Sequence, residues 1–99
     1  MSELLILEFA GVGQEVYDAV NAQLGIDTSS PSDPGWPAGL KSHAAGVSDS
    51  GSLLVSEVWD SREAQAAFME GALGAALQAG GAPAPSQVTW TTLVVDTHI

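Results

Sequence analysis

Few side chains in this sequence can carry a proton to or from a ligand near neutral pH. There are two histidines, His43 and His98, and no cysteine. Histidine is the side chain whose unperturbed pKa lies in that range. His43 falls in an extended segment, Gly39 to Val47, followed by Asp49-Ser50-Gly51 and a second such segment, Ser52 to Asp60. A three-residue hairpin loop places its third residue in the left-handed region, where glycine belongs, so the spacing predicts an antiparallel hairpin that pairs Ser48 with Ser52. In that register Lys41, His43, Ala45, Leu53, Val55, Glu57 and Trp59 share one face, with His43 opposite Glu57 and Lys41 opposite Trp59. A carboxylate beside an imidazole fixes its tautomer and strengthens it as a base. His43 and Glu57 are therefore the candidate catalytic pair, base and orienting group. The alternative is a cross-strand polar pair at a sheet edge or subunit seam. A slip of one residue would send the two side chains to opposite faces.

The aromatic residues supply candidate walls for a binding site. Trp36 lies in a proline-rich stretch beside Pro34 and Pro37, either as a lid over a cavity mouth or as an anchor for its own loop. Trp59 can stack a planar ligand or pack where a strand meets a helix, and Trp90 suits core or subunit interface. Tyr17 sits on an apolar helical stripe, its hydroxyl either reaching a ligand or satisfied by the protein. With Lys41 and Phe68, these four form the candidate substrate-binding set. Gly11-Val12-Gly13 imitates the start of a dinucleotide fingerprint, but Val16 stands at the third glycine position, and Glu15 would repel a pyrophosphate. It reads as a turn. Asp96-Thr97-His98 offers too few ligands for a metal, and no Gly-x-Ser-x-Gly elbow is present. Neither metal nor other cofactor is expected. Without cysteine there is no disulfide, thiolate metal site or cysteine nucleophile.

With 99 residues the chain makes one domain, 1–99. Hydrophobic residues are 45% of it and charged residues only 14%, so it is not a disordered acidic tail despite a net charge of −10. Lys41 and Arg62 are the only basic side chains besides histidine, a balance that repels phosphate backbones and anionic lipid. Neither nucleic acid nor membrane is an expected partner. The apolar run Leu4 to Leu7 is far shorter than a signal core or membrane span, and a cytoplasmic location is expected.

Positioning the candidate residues requires six elements. Glu3–Phe9 reads as a strand, with Leu5, Leu7 and Phe9 on one face and Leu4 and Ile6 on the other. Val16, Tyr17, Val20 and Leu24 give a helical stripe over Gln14–Leu24, closed by Gly25. Residues 26–37 carry three prolines and no periodicity. After the hairpin, Asp60 and Glu63 have capping-box spacing and open an alanine-rich helix that Gly71 and Gly74 should bend or break. A loop from Gln78 to Ser86 leads to a last strand, Val88–Asp96. The order β-α-β-β-α-β is the ferredoxin-like plan, an α+β fold with a four-stranded antiparallel sheet carrying both helices on one face. Three of the four predicted strands carry large apolar residues on both sides, so the other face needs covering. A second copy laid face to face predicts a homodimer.

Gly39-Leu40-Lys41-Ser42-His43, the Asp-Ser-Gly hairpin, and Val58-Trp59-Asp60-Ser61-Arg62-Glu63 leading to Phe68 resemble the dimeric α+β barrel superfamily, in particular the antibiotic-biosynthesis-monooxygenase-like group. There a Trp-x-Ser stretch ends the third strand and opens the second helix. The resemblance implies a dimeric barrel and one of several activities: cofactor-free oxygenation of aromatic polyketides, haem degradation, isomerisation or cyclisation. Haem-degrading members use a histidine on the second helix, and none lies between residues 61 and 80. The expected function is binding of an apolar or aromatic, polyketide-like small molecule between helix and sheet, with cofactor-free monooxygenation using His43 as base. Cyclisation or isomerisation by proton transfer is one alternative, and a non-catalytic carrier or accessory subunit the other. An enzyme or carrier should have a cavity of at least ~300 Å³ reached by His43.

Overall fold

The fold was analysed in a computed structural model that describes residues 1–99. The elements are β1 (Glu3–Phe9), α1 (Gln14–Leu24), β2 (Leu40–Val47), β3 (Leu53–Trp59), α2 (Arg62–Phe68), a wide π-type turn (Met69–Leu73), α3 (Gly74–Ala79) and β4 (Gln87–Thr92). The strands form one sheet in the order β2-β3-β1-β4, and every neighbouring pair is antiparallel. This is the expected βαββαβ arrangement, with its second helix in two pieces. No helix is long and apolar enough to cross a membrane.

Strand alternation decides which face is covered. Leu5, Leu7 and Phe9 of β1 meet Leu53, Val55 and Trp59 of β3 in the core, joined by Val12 and flanked by Val16, Tyr17, Ala64 and Phe68 of the helices. Trp59 and Leu5 are the most completely enclosed large side chains, at 0% and 1% exposure. The second helix starts one residue later than the capping-box spacing suggests. Asp60 still donates its backbone N–H to Gly39 O at 2.8 Å, so Ser61 is the first residue free to cap, and its Oγ accepts from Ala64 N at 3.2 Å.

The expected break at the glycines is present. Gly71 leaves helical geometry at φ −100°, ψ −114°, and a Cβ on Gly74 would stand 2.5 Å from the Met69 carbonyl oxygen. Only glycine lets the chain fold back that tightly. Gly51 takes φ +86° as the hairpin loop demands, and Ser48 N donates to Ser52 O at 2.8 Å.

Two expectations fail at the margins. The last strand ends at Thr92, not Asp96, because Thr92 pairs with Glu3, the first residue of its only neighbour, β1. Beyond one further bond, Leu93 N to Ser2 O at 2.9 Å, the backbone has no partner, and Val94 is 91% exposed. The outer sheet face is also less apolar than the strand patterns suggested. Large apolar side chains occupy it only from β1 and β3, namely Leu4, Ile6, Leu54 and Val58; their register partners on β2 and β4 are Ser42, Gly46, Thr89 and Thr91.

One end of the sheet is tied by charge. Glu3 Oε1 accepts from Thr92 Oγ1 at 2.9 Å and from Arg62 Nε at 3.1 Å. The Thr92 hydrogen bond, with help from Arg62, holds the Glu3 carboxyl below the ordinary carboxylate range. Arg62 also lies over the Trp90 ring, 5.3 Å from its centroid.

Leu5 is almost fully enclosed on an inner strand of the sheet. Leu5→Ala is expected to lower unfolding free energy by about 3 kcal/mol, read from the urea midpoint at unchanged m-value.

Candidate functional site

Glu57 is the anomaly of the covered sheet face, a carboxylate only 8% exposed among apolar neighbours. Burial of this kind demands hydrogen-bond partners, and the neighbouring residues supply them. Trp59, two residues along the same face, donates Nε1–H to Glu57 Oε1 at 3.1 Å. From the facing position on β2, His43 Nδ1 lies 2.9 Å from Glu57 Oε2. On the far side of the ring, Tyr17 of α1 brings its hydroxyl to 2.6 Å from His43 Nε2, with its own ring stacked on the imidazole at 6.0 Å between centroids.

A carboxylate can only accept, so the neutral imidazole fits this chain in one tautomer: Nδ1–H donates to Glu57, and Nε2 accepts from the Tyr17 hydroxyl. The Tyr17 oxygen, a donor to His43, can also accept from a group that enters the site. Burial is the main cause that pushes the Tyr17 phenol above its ordinary value; the nearby Glu57 and Asp18 charges add to it, and Thr28 and Asn21 hydrogen bonding opposes it. Tyr17 is thereby kept as a neutral hydroxyl across the physiological range.

These residues border two spaces. An apolar cavity of about 90 Å³ lies between sheet and helices, lined by Tyr17, Trp36, His43, Glu57 and Phe68 together with core side chains. Met69, Leu73 and Leu77 from the kinked second helix also line it, and it is smaller than the ~300 Å³ of an ordinary ligand site. Outside it a cleft of about 430 Å³ runs past Thr28, Ser29, Lys41 and Ser42, and it shares Trp36, Leu40 and His43 with the cavity. Trp36 stands between the two, its ring 5.2 Å from that of His43 and its Nε1–H donated to Ser30 O at 2.8 Å. The loop that carries it is held by short local bonds. Asp27 accepts from the Ser29 N–H and hydroxyl, at 3.0 and 2.6 Å, and these hold its carboxyl below the usual range.

The structure thus brings Tyr17, Trp36, His43, Glu57 and Phe68 to one cavity and leaves three candidates outside it. Trp59 is core, holding Glu57 in place and packing against Phe68. Trp90 packs at the core margin under Arg62. Lys41 does not face Trp59, since a bulge between Leu40 and Ser42 makes Leu40 the partner of Trp59 and turns Lys41 outward. Its ammonium lies 2.6 Å from Ser2 Oγ and 3.7 Å from Asp96. Two features escaped the sequence: the Tyr17–His43 bond, and the polar wall formed by Thr28, Ser29 and Ser42. For Glu57 and Trp59 the signal was available, because residues two apart on a strand share a face.

No protein-family model and no curated protein matches the sequence. Solved structures do match in shape. A candidate antibiotic biosynthesis monooxygenase from Chloroflexus aurantiacus J-10-fl superposes with a TM-score of 0.65 at 24% identity, over 100% of this chain and 99% of that one. Rv0793 from Mycobacterium tuberculosis gives 0.63 at 19% identity, over 99% of this chain and 100% of its own. The chain has the fold of the antibiotic-biosynthesis-monooxygenase-like proteins. At this identity the likeness is one of fold, and the chemistry rests on the chain's own residues.

Tyr17 is the only tyrosine in the chain, so tyrosinate absorbance reports it alone. Its midpoint in the folded protein is expected above the ordinary value of about 10. A raised folded-state pKa contributes stability that is whole below the unfolded value and is lost as pH rises through the folded one. Denaturant midpoints should therefore decline on the alkaline side of pH ~10 in wild type, with a shallower decline in Tyr17→Phe.

Proposed function

We propose that this protein binds an apolar, aromatic small molecule between helices and sheet and transfers a proton from it to His43. The observation that supports this reading is the unbroken chain from the Tyr17 hydroxyl through His43 to Glu57, with 2.6 and 2.9 Å separations, at the edge of an apolar cavity. A ligand hydroxyl or acidic C–H set against the Tyr17 oxygen gives up its proton there as Tyr17 passes its own to Nε2. The imidazolium that results is stabilised by the Glu57 carboxylate, which Trp59 holds in position. His43 is then the base, Tyr17 the relay and Glu57 the orienting group.

The chemistry such a base enables, given the fold, is cofactor-free monooxygenation of a hydroxyarene. The deprotonated substrate donates an electron pair from carbon to dioxygen, which forms the C–O bond of a peroxide. Protonated, the peroxide loses water, leaving one oxygen atom on a ring oxidised to the quinone. Dioxygen is the oxidant, and its second atom leaves as water. A carrier role is the second reading, favoured by the scarcity of polar groups around the cavity and by the fact that Nε2 is already occupied by Tyr17.

Dioxygen uptake over a panel of hydroxylated aromatic compounds separates the two. Under the monooxygenase reading a member of the panel is oxidised, and His43→Ala slows turnover by roughly 100-fold or more. Undiminished turnover in that variant would remove His43 from the mechanism, and saturable binding without any oxygen consumption would favour the carrier.

We further propose that the protein assembles as a homodimer through the outer sheet face. Leu4, Leu54 and Val58 with Ile6, 38% exposed, make an apolar centre in a face that no helix covers. Sedimentation should give a dimer for wild type and a monomer for Ile6→Lys, whereas a wild-type monomer at micromolar concentration contradicts this assembly.

A further inference from the structure

The inner cavity is too small for the ligands its lining suits. Its volume of about 90 Å³ falls below the ~150 Å³ of a cavity known to hold benzene and well below the ~300–1,000 Å³ of ordinary ligand sites. The cleft has the volume, about 430 Å³, but its hydroxyl-bearing wall gives little grip on an aromatic ring. The two spaces share Trp36, Leu40 and His43; combined, they reach the size range of small-molecule sites. What separates them at His43 is one indole on a loop without regular structure, fixed on its polar side by a single hydrogen bond to Ser30 O.

Charge limits what the cleft accepts. The chain carries a net charge of −10. The one ammonium along the cleft, that of Lys41, already lies against Ser2 and near Asp96. An anionic ligand end would gain little from Lys41 and be repelled by the rest. The Thr28 and Ser29 hydroxyls suit uncharged oxygen atoms.

We propose that cavity and cleft are two compartments of one binding site, joined when Trp36 swings aside, for a neutral elongated molecule. Its apolar ring occupies the inner space, an oxygen lies at the His43 junction, and its uncharged polar end rests among the cleft hydroxyls. This rests on the ligand-binding reading above but requires no turnover.

The test uses 2-(2-naphthyloxy)ethanol, whose rings, ether oxygen and terminal hydroxyl correspond to the three parts, and (2-naphthyloxy)acetate, which carries a charge at the end that meets the cleft. In nitrogen–proton NMR of the wild-type protein, the alcohol should shift three sets of signals together: the Trp36 side-chain N–H, the Thr28 and Ser42 amides, and the Val20 and Leu77 amides. The carboxylate should bind several-fold more weakly. If opening of the indole limits entry, Trp36→Ala should raise the association rate roughly tenfold or more, whatever contact the missing ring costs at equilibrium, and Trp36→Leu serves if the alanine variant does not fold. Shifts confined to one compartment, an unchanged association rate, carboxylate binding as tight as that of the alcohol, or no saturable shift would each overturn the proposal. His43-dependent oxygen uptake with shifts on the cavity side only would sink it while sparing the proton-transfer reading. Shifts on both sides without any uptake would support it while weakening that reading.

Discussion

The site is organised by the need to satisfy one buried carboxylate. Glu57 sits on an inner strand, and its register partner on the other inner strand is Leu5, the second most enclosed large side chain of the core. A carboxylate there is costly unless both oxygens are bonded. One oxygen is met by Trp59, whose indole N–H would otherwise be stranded in the core, and the other by His43. Satisfying Glu57 fixes the imidazole plane and its tautomer, and that in turn decides where the Tyr17 hydroxyl must point. Polar residues on three separate elements are thereby locked to one another across a face that is otherwise apolar.

Much of this scaffold was legible because it depends on local rules. A short run rich in Leu and Ile located β1, the 3.6-residue stripe located α1, and a three-residue loop ending in glycine joined β2 to β3 and gave the register that sets His43 against Glu57. The misreadings arise where the decisive partner is distant in sequence. The alternation after Thr92 continues, but the strand stops because β1 offers nothing further to pair with. Asp60 and Ser61 are both capping residues, and the choice fell to Ser61 because Gly39 keeps the Asp60 amide in the sheet. The bulge that turns Lys41 away from Trp59 has no signature in its own residues.

The candidate site was legible as a pair and not as a network. His43 and Glu57 follow from the hairpin alone. The Tyr17 contact depends on the angle at which α1 crosses the sheet, a tertiary quantity that no stripe of apolar residues encodes. Trp36 was recognisable as an aromatic in a loop, but its place against His43 depends on how twelve aperiodic residues settle over the sheet. Met69, Leu73 and Leu77 all line the cavity although the helix that carries them is interrupted at Gly71.

That interruption decides where one wall of the cavity runs. Gly71 is non-helical, so α2 and α3 meet at a kink, and Met69, Leu73 and Leu77 line the cavity from either side of it. A side chain that held position 71 in helical geometry would carry α2 on in line past the kink. Leu77 would then leave the cavity wall, and Gly80, where even a Cβ would come within 2.8 Å of Val20, would no longer be the residue facing α1. Two chains that differ at this one position would thus share a sheet and a His–Glu pair while enclosing spaces of quite different shape.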